Sequence, residues 1–263
     1  MQTDPKGTGE RELSAHQSSA PPPRNVRANS QPASVVEMVL AALEQLRVTP
    51  DQVIELRGLG IPTRYGRPRT AAGWFDDLSA LARAACELEA RGAQVYVTLN
   101  PVNPALLARA FNRVVDFPKH TTTDHDVIWR AWLPIDIDPV RPAGTSSSEP
   151  ELDAARTRAL AAAEWLTKQL GEPPRIWACS GNGYHMLFRI DLPNDDKATA
   201  MVKGVLDQTA ERFSDEQVNV DRTVYNAARI WRLYGTINRK GDSVERLGRV
   251  HRRAVILKEG FSS

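Results

Sequence analysis

The chain has 263 residues, of which 41% are hydrophobic and 25% charged, with a formal net charge of +2. This is the composition of an ordinary globular protein with a substantial core. No apolar run approaches the roughly 20 residues that cross a bilayer, and the N-terminus lacks the apolar stretch of a secretory signal, so we expect a cytoplasmic protein without membrane contact. Cys86 and Cys179 are too few for a disulfide framework or a structural zinc site, so we expect reduced, buried thiols and no zinc.

The N-terminal half begins with a segment unlike the rest. Residues 1–33 are rich in Ser, Pro, Gln and charge, and we expect a disordered leader because they cannot bury enough apolar surface. Helical spacing of apolar residues begins near Val35. In chain order, the patterns then predict a strand over 53–60, a Gly/Pro/Arg-rich loop over 58–70, a helix over 77–90, a strand over 94–100, a helix over 103–113 and a polar loop over 114–126.

The C-terminal half alternates helices and strands. The sequence predicts a long strand over 127–138, a helix from the Ser148–Glu151 capping box to Gly171, strands over 175–179 and 184–191, a helix over 195–213, and short strands over 218–221 and 252–257. An Asn-Gly pair joins the strands at 175–179 and 184–191, which is typical of a hairpin. We therefore expect an α/β (α+β) fold in which helices cover a mixed sheet.

Two aspartates end the long strand. Asp136 and Asp138 flank Ile137, and alternate side chains of a strand point to the same face, so the two carboxylates should project side by side. Such a pair is costly unless a cation lies between the charges, and hard oxygen ligands favour Mg²⁺ or Mn²⁺. The alternative is that they are cap or loop residues.

The hairpin Ser180-Gly-Asn-Gly-Tyr-His185 is a second candidate element. Gly181 and Gly183 would let backbone N–H groups approach an anion, and Ser180 and His185 would add side-chain donors, so a triphosphate cradle is one interpretation. A tight turn followed by a half-buried histidine is the other.

The third element is Asp221, which ends a short strand and begins a basic segment. From Asp221 to Lys258 there are ten Lys or Arg residues and three acids, so this segment is far more positive than the chain as a whole. A basic segment on a slightly acidic body is what phosphate-bearing ligands require, although a solvated basic face would have the same composition.

In this order, the three elements resemble the motifs of the archaeo-eukaryotic primase superfamily. LPIDID resembles its first motif, SGNGYH its second and NVD its third. The stretch DRTVYNAARIWRLYGTINRKGD is similar to the corresponding segment of the primase-polymerase branch found in plasmids, phages and CRISPR-associated systems. The resemblance covers roughly residues 53–257.

The resemblance implies a fold and a domain organisation. We expect a catalytic domain over 34–263, with an N-terminal α/β module over 34–125 and an RRM-like, metal-binding module over 126–258. Many relatives carry a C-terminal helicase, so a helicase or another domain beyond this chain is a possible partner.

The resemblance also implies template-dependent DNA or RNA synthesis, with primase activity, in replication or repair. Substrates would be dNTPs or NTPs and a single-stranded DNA template with its primer. Asp136, Asp138 and Asp221 would hold two divalent ions, Mg²⁺ or Mn²⁺. Ser180, Gly181, Gly183 and His185 would hold the phosphates. Arg229, Arg232 and Lys240 are further candidates for triphosphate or template contacts.

Two other functions are compatible with parts of this pattern. An inactive replication initiator would bind single strands through the same fold, but the three aspartates and His185 are all present. A metal-dependent nuclease would use the aspartates equally well, yet it gives no reason for the hairpin. The run from His120 to Asp126 contains two histidines and two aspartates, and we favour a solvated loop over a metal cluster there.

Overall fold

The computed structural model describes residues 33–64 and 66–258. The leader expected over 1–33 therefore lies outside the described residues except for Ala33. Within the described residues the chain is α+β, as predicted, and no helix there is long and apolar enough for a membrane span. The four α-helices are α1 Val35–Leu46, α2 Leu78–Ala90, α3 Glu149–Leu170 and α4 Asp196–Phe213.

Twelve strands lie in the same described ranges. They are β1 Ile54–Ile61, β2 Arg69–Phe75, β3 Gln94–Thr98, β4 Val115–Asp116, β5 Trp129–Pro139, β6 Ile176–Cys179, β7 Tyr184–Pro193, β8 Val218–Val220, β9 Ile230–Arg232, β10 Ile237–Asn238, β11 Arg252–Arg253 and β12 Val255–Ile256. Three short 3₁₀ helices lie at Pro104–Arg109, Asp124–Asp126 and Glu245–Leu247.

The helices begin and end where their local sequence directs. Ser34 and Glu37 form a capping box at the start of α1, and Asp77 accepts from two N–H groups at the start of α2. Glu151 reaches back to the N–H of Ser148 at 2.8 Å and so caps α3. Gly171 ends α3 at φ 81°, a left-handed conformation that favours glycine. These boundaries confirm the sequence prediction.

The strands form two five-stranded sheets and a small pair. The first sheet has the order β4-β2-β1-β3-β9, the second has β12-β6-β7-β5-β8, and β10 pairs with β11. All of these ladders are antiparallel, which corrects the expected mixed sheet. In the second sheet the succession β5-α3-β6-β7-α4-β8 is a βαββαβ unit. Contacts of α3 and α4 with each other and with β5 place both on one face of this sheet.

The two modules expected from sequence do not coincide fully with the two sheets. The last strand of the first sheet is β9, which lies about a hundred residues beyond the expected boundary at 125 and 126 and pairs with β3 through Val97 and Trp231. The chain therefore returns to the first sheet after β8 of the second sheet, and it later adds β12 to the edge of the second sheet beside β6.

Several local predictions were wrong. The loop expected over 58–70 begins later, because β1 continues to Ile61, and β2 was missed. The helix expected over 103–113 is only the 3₁₀ helix Pro104–Arg109, because the carbonyl of Ala110 accepts from the N–H of Trp74 instead of continuing a helix. The expected loop over 114–126 contains β4 and a 3₁₀ turn, and the strand expected over 252–257 is divided into β11 and β12.

Candidate functional site

Three of the predicted site residues lie in one row across the second sheet. Asp136 of β5 is directly opposite His185 of β7. On its other side, the carbonyl of Asp136 accepts from the N–H of Asp221 at 2.9 Å, just beyond the end of β8. Residues opposite each other in antiparallel strands present their side chains on the same face. The fold therefore brings residues from all three sequence motifs together.

Asp138 lies two residues beyond Asp136, on the same face of β5. A Cβ atom at Gly183 would collide with the carboxylate of Asp138 and the carbonyl of Ile137. Gly181, at φ 92°, is similarly enclosed, because a Cβ there would lie 2.7 Å from the carbonyl oxygen of Arg252. Close packing thus requires glycine at both positions of the hairpin. At Gly183, the missing side chain leaves room for the Asp138 carboxylate.

The two carboxylates of β5 have opposite electrostatic surroundings. Burial and the neighbouring charge of Asp136 raise the pKa of Asp138 to about 6. Burial also acts to raise the pKa of Asp136, but His185, Lys240 and Arg229 more than offset it and hold that pKa below its usual value. Asp136 is thus ionised at neutral pH, and Asp138 is costly to ionise beside it.

The Oδ1 atom of Asp136 is buried and has no hydrogen-bond partner in the described part of the chain. Its neighbour is Nε2 of His185 at 3.4 Å, which is close enough for an ion pair but long for a hydrogen bond. A buried carboxylate oxygen without a partner is costly. A divalent cation beside Asp136 and Asp138 would satisfy it, so these two residues fit the metal that the sequence predicts.

Asp221 is placed differently from the other two aspartates. Its Oδ1 atom accepts from both the N–H and the hydroxyl of Thr223, each at 2.7 Å, so this oxygen already stabilises the turn after β8. Across residues 33–64 and 66–258, no group of three or more His, Cys, Asp or Glu side chains is close enough to hold a metal ion. The pair on β5 is therefore assembled, whereas the role of Asp221 as a third ligand stays a prediction.

Two aromatic side chains hold His185 in place, and the sequence motifs did not predict these contacts. Its Nδ1 atom lies 3.1 Å from the hydroxyl oxygen of Tyr234, and the same oxygen accepts from Nε1 of Trp231 at 2.8 Å. The imidazole ring also packs on Trp231, with 4.1 Å between ring centroids. The sequence offered only the proximity of these aromatics to the motif, and their contact with His185 is made by the fold.

A cavity of about 180 Å³ opens above this row. Carboxylates and cations share its walls, which are lined by Tyr96, Asp136, Asp138, Arg141, Ser180, Asn182, His185, Asp221, Val224, Arg229, Ile230, Trp231, Arg232, Asn238 and Lys240. Every predicted side chain of the site is in this set, and the hairpin glycines adjoin it. A larger cleft of about 900 Å³ lies elsewhere, between α1 and the start of β6, and contains none of the motif residues.

The three predicted cations have different surroundings. Arg232 is buried and donates to neutral acceptors, the side chains of Gln94 at 2.6 Å and Tyr96 at 2.8 Å, and burial lowers its pKa. Arg229 donates to the carbonyl of Thr223. Lys240 is exposed, and its positive charge acts on both Asp136 and Asp138. Arg141, which lines the same cavity, was not predicted.

The hairpin is held by its own side chains. The hydroxyl of Ser180 donates to the carbonyl of Gly183 at 3.2 Å. Asn182, whose only predicted role was in the Asn-Gly turn, accepts from the N–H of Ser147 at 2.9 Å and donates to the carbonyl of Lys240 at 3.0 Å. Asn238 donates to the carbonyl of Ser180 at 2.8 Å. These amides tie the hairpin to the basic segment, so the two form one wall of the cavity.

The remaining predictions concern residues outside the cavity. Asp124 is not simply solvated, because its carboxylate accepts from the N–H of Ala228 at 2.7 Å and so fastens the 3₁₀ turn to the segment before β9. No metal cluster forms at this turn in the described ranges. Cys86 and Cys179 are free and half-buried, and burial raises the pKa of both thiols.

Comparison with known proteins adds little to this geometry. No family model matches the chain, and no curated protein matches it. Among solved structures, a crystal structure of the primase RepB′ is similar at a TM-score of 0.47 and 11% sequence identity. That alignment covers 86% of this chain and 57% of the other, so this chain spans little more than half the length of that protein. A likeness at this level assigns neither family nor activity.

Proposed function

We propose that the chain is a template-dependent nucleotidyltransferase with primase activity, of the primase-polymerase type. The observation that carries this proposal is the row formed by His185, Asp136 and Asp221. It brings the three sequence motifs together beside a cavity that Arg229, Arg232 and Lys240 also line. Carboxylates and cations facing one cavity suit a ligand that is a metal–triphosphate complex.

Asp136 and Asp138 are the proposed metal ligands. A divalent cation would give the Oδ1 atom of Asp136 a partner. It would also offset the burial and the neighbouring charge that raise the pKa of Asp138. Two such ions, Mg²⁺ or Mn²⁺, would activate a 3′-hydroxyl and stabilise the leaving pyrophosphate. Asp221 is the proposed third ligand, using the carboxylate oxygen that does not serve the Thr223 turn.

The other residues of the cavity have proposed roles in binding. His185 and the backbone of the hairpin would contact the phosphates of a dNTP or NTP, and Ser180 would do so by turning its hydroxyl from the Gly183 carbonyl. Lys240 and Arg229 line the cavity and would neutralise the triphosphate. Arg232 donates to the neutral side chains of Gln94 and Tyr96, and its buried charge would attract the triphosphate. Single-stranded DNA with its primer would supply the template and the 3′-hydroxyl.

The test compares Asp136→Asn with the matched control Asp191→Asn, whose aspartate lies on the same sheet, exposed and paired with Arg189. Incorporation of labelled nucleotide on a primed template is measured with Mg²⁺ or Mn²⁺. We expect a loss of at least about 100-fold in Asp136→Asn, an unchanged rate in the control, and similar single-strand binding in both. Wild-type incorporation by Asp136→Asn would overturn the proposal.

A further inference from the structure

A strained aromatic residue stands on the surface far from the aspartates. Phe117 has a positive φ of 53°, and the residue is 67% exposed. Its N–H donates to the carbonyl of Thr70 at 3.1 Å, which holds the backbone in this conformation. A left-handed backbone is rare for a bulky residue, and an exposed phenyl ring gains nothing from burial. The surrounding structure thus keeps this ring in solvent, which is typical of a binding position.

The surroundings of Phe117 form a groove of about 440 Å³ that is rich in positive charge. The guanidinium of Arg69 lies 5.4 Å from the centroid of the phenyl ring. The residues that line the groove are 68–70 and 117–121, which contain Arg69 and Lys119 and no acidic residue.

The nearest acid does not neutralise this charge. The carboxylate of Asp116 is shared, since it pairs with Arg69 at 3.3 Å and with Arg91 at 2.6 Å. One negative charge therefore balances two guanidinium groups, and Lys119 adds a further exposed cation. An exposed ring beside excess positive charge is complementary to a ligand that has both aromatic bases and phosphates.

The groove is connected to the candidate active site through the first sheet. Val115, Ala72, Arg57, Tyr96 and Arg232 lie in one register across all five strands, from the edge strand β4 to β9. Phe117 lies two residues beyond the first member of this row, and the last two members line the cavity with the aspartates.

This face of the sheet is turned away from the helix that covers the other face. A Cβ at Gly58, next to Arg57, would lie 3.1 Å from Leu88 of α2, so α2 packs on the opposite side of the sheet from Arg57. At about 4.8 Å per strand spacing, the distance from β4 to β9 is roughly 19 Å. A nucleic-acid strand of a few nucleotides spans that distance.

We propose that Phe117 is a stacking platform for a base of single-stranded nucleic acid, with Arg69 and Lys119 contacting its phosphates. The assignment of this strand as the template rests on the proposed function, whereas the binding of single-stranded nucleic acid at Phe117 does not.

The test is the affinity of the whole chain for a fluorescent oligothymidine, measured by anisotropy in EDTA without nucleotide. We expect Phe117→Ala to weaken binding about five-fold or more and Phe117→Trp to retain it, because stacking needs a ring. Met201→Ala removes an apolar side chain that is 52% exposed on α4 and is the control that should bind normally. Lys119→Ala should reduce the slope of the logarithm of DNA affinity against the logarithm of salt concentration by roughly one phosphate contact.

Wild-type DNA affinity in Phe117→Ala would overturn the platform. If self-association of that variant in sedimentation is altered as well, the surface is assigned to a second copy of the chain. Nucleotide incorporation by Phe117→Ala at saturating DNA separates the two proposals. A DNA-binding defect in Phe117→Ala, together with no nucleotide incorporation by the wild-type chain, would retain the platform and reject the enzyme.

Discussion

The Nδ1 atom of His185 lies 3.1 Å from the hydroxyl oxygen of Tyr234. That oxygen already accepts a hydrogen bond from Nε1 of Trp231, which can only donate. The hydroxyl proton of Tyr234 is therefore free to point at Nδ1 of His185. This arrangement favours the tautomer with its proton on Nε2, the atom that faces Asp136. Burial raises the pKa of Tyr234 above its usual value, so the phenol remains protonated.

Replacing Tyr234 by Phe should affect both folding and nucleotide use. The indole N–H of Trp231 would lose its acceptor while buried, which should lower the free energy of unfolding by about 1–3 kcal/mol in urea denaturation. His185 would lose its tautomer preference, so the apparent KM for nucleotide should rise more than kcat falls. Tyr225→Phe, at a half-buried tyrosine outside the cavity, is the control. An unchanged ¹⁵N tautomer pattern of His185 in Tyr234→Phe would contradict this role.

Asp138 should make the metal-free protein less stable at neutral pH. Its pKa is raised to about 6 in the folded state, so the folded chain favours the protonated form. Stability from this group is greatest below pH 4 and is lost as the pH rises through 6. In EDTA, the free energy of unfolding of Asp138→Asn should therefore exceed that of the wild type by about 2–3 kcal/mol at pH 7 and match it below pH 4. A pH-independent difference in urea denaturation would show that Asp138 is not the titrating group.

Gly183→Ala should damage the site without a chemical change to any proposed ligand. The added Cβ would displace the carboxylate of Asp138, so we expect incorporation to fall at least about ten-fold. Gly204→Ala in α4 is the matched control, since a Cβ there meets nothing within 4 Å. It should raise the free energy of unfolding by about 0.5–1 kcal/mol and leave activity intact. Full activity in Gly183→Ala would mean that Asp138 is not held in its working position by this hairpin.

The sequence predicted the elements that depend on local signals. Capping residues such as Ser34 and Ser148 set helix boundaries, and the two-residue period of β5 placed Asp136 and Asp138 on one face. The Asn-Gly pair located the hairpin. Asp136 and Asp138 lie on β5 and His185 on β7 of the second sheet, and Asp221 directly follows β8 of the same sheet.

The parts that were missed depend on contacts between distant residues. β2 is rich in Ala and Gly, so its pattern did not distinguish it from a loop, and pairing with β1 makes it a strand. The contact between His185 and Tyr234 joins residues 49 positions apart. Asn182 and Asn238 were not identified because an amide that links two segments has no local signature. The positive φ of Phe117 is likewise imposed by its bond to Thr70.

The central claim is tested most directly by the length of a 5′-labelled primer after incubation with wild-type protein, a single-stranded template, Mn²⁺, and dNTPs or NTPs in parallel. A nucleotidyltransferase lengthens the primer, and Asp136→Asn leaves it unchanged, which is the result we expect. A parallel reaction without primer reveals priming. Shortening of the primer would identify a nuclease. A bound primer whose length never changes would identify a binding module, and either result would contradict the proposed function.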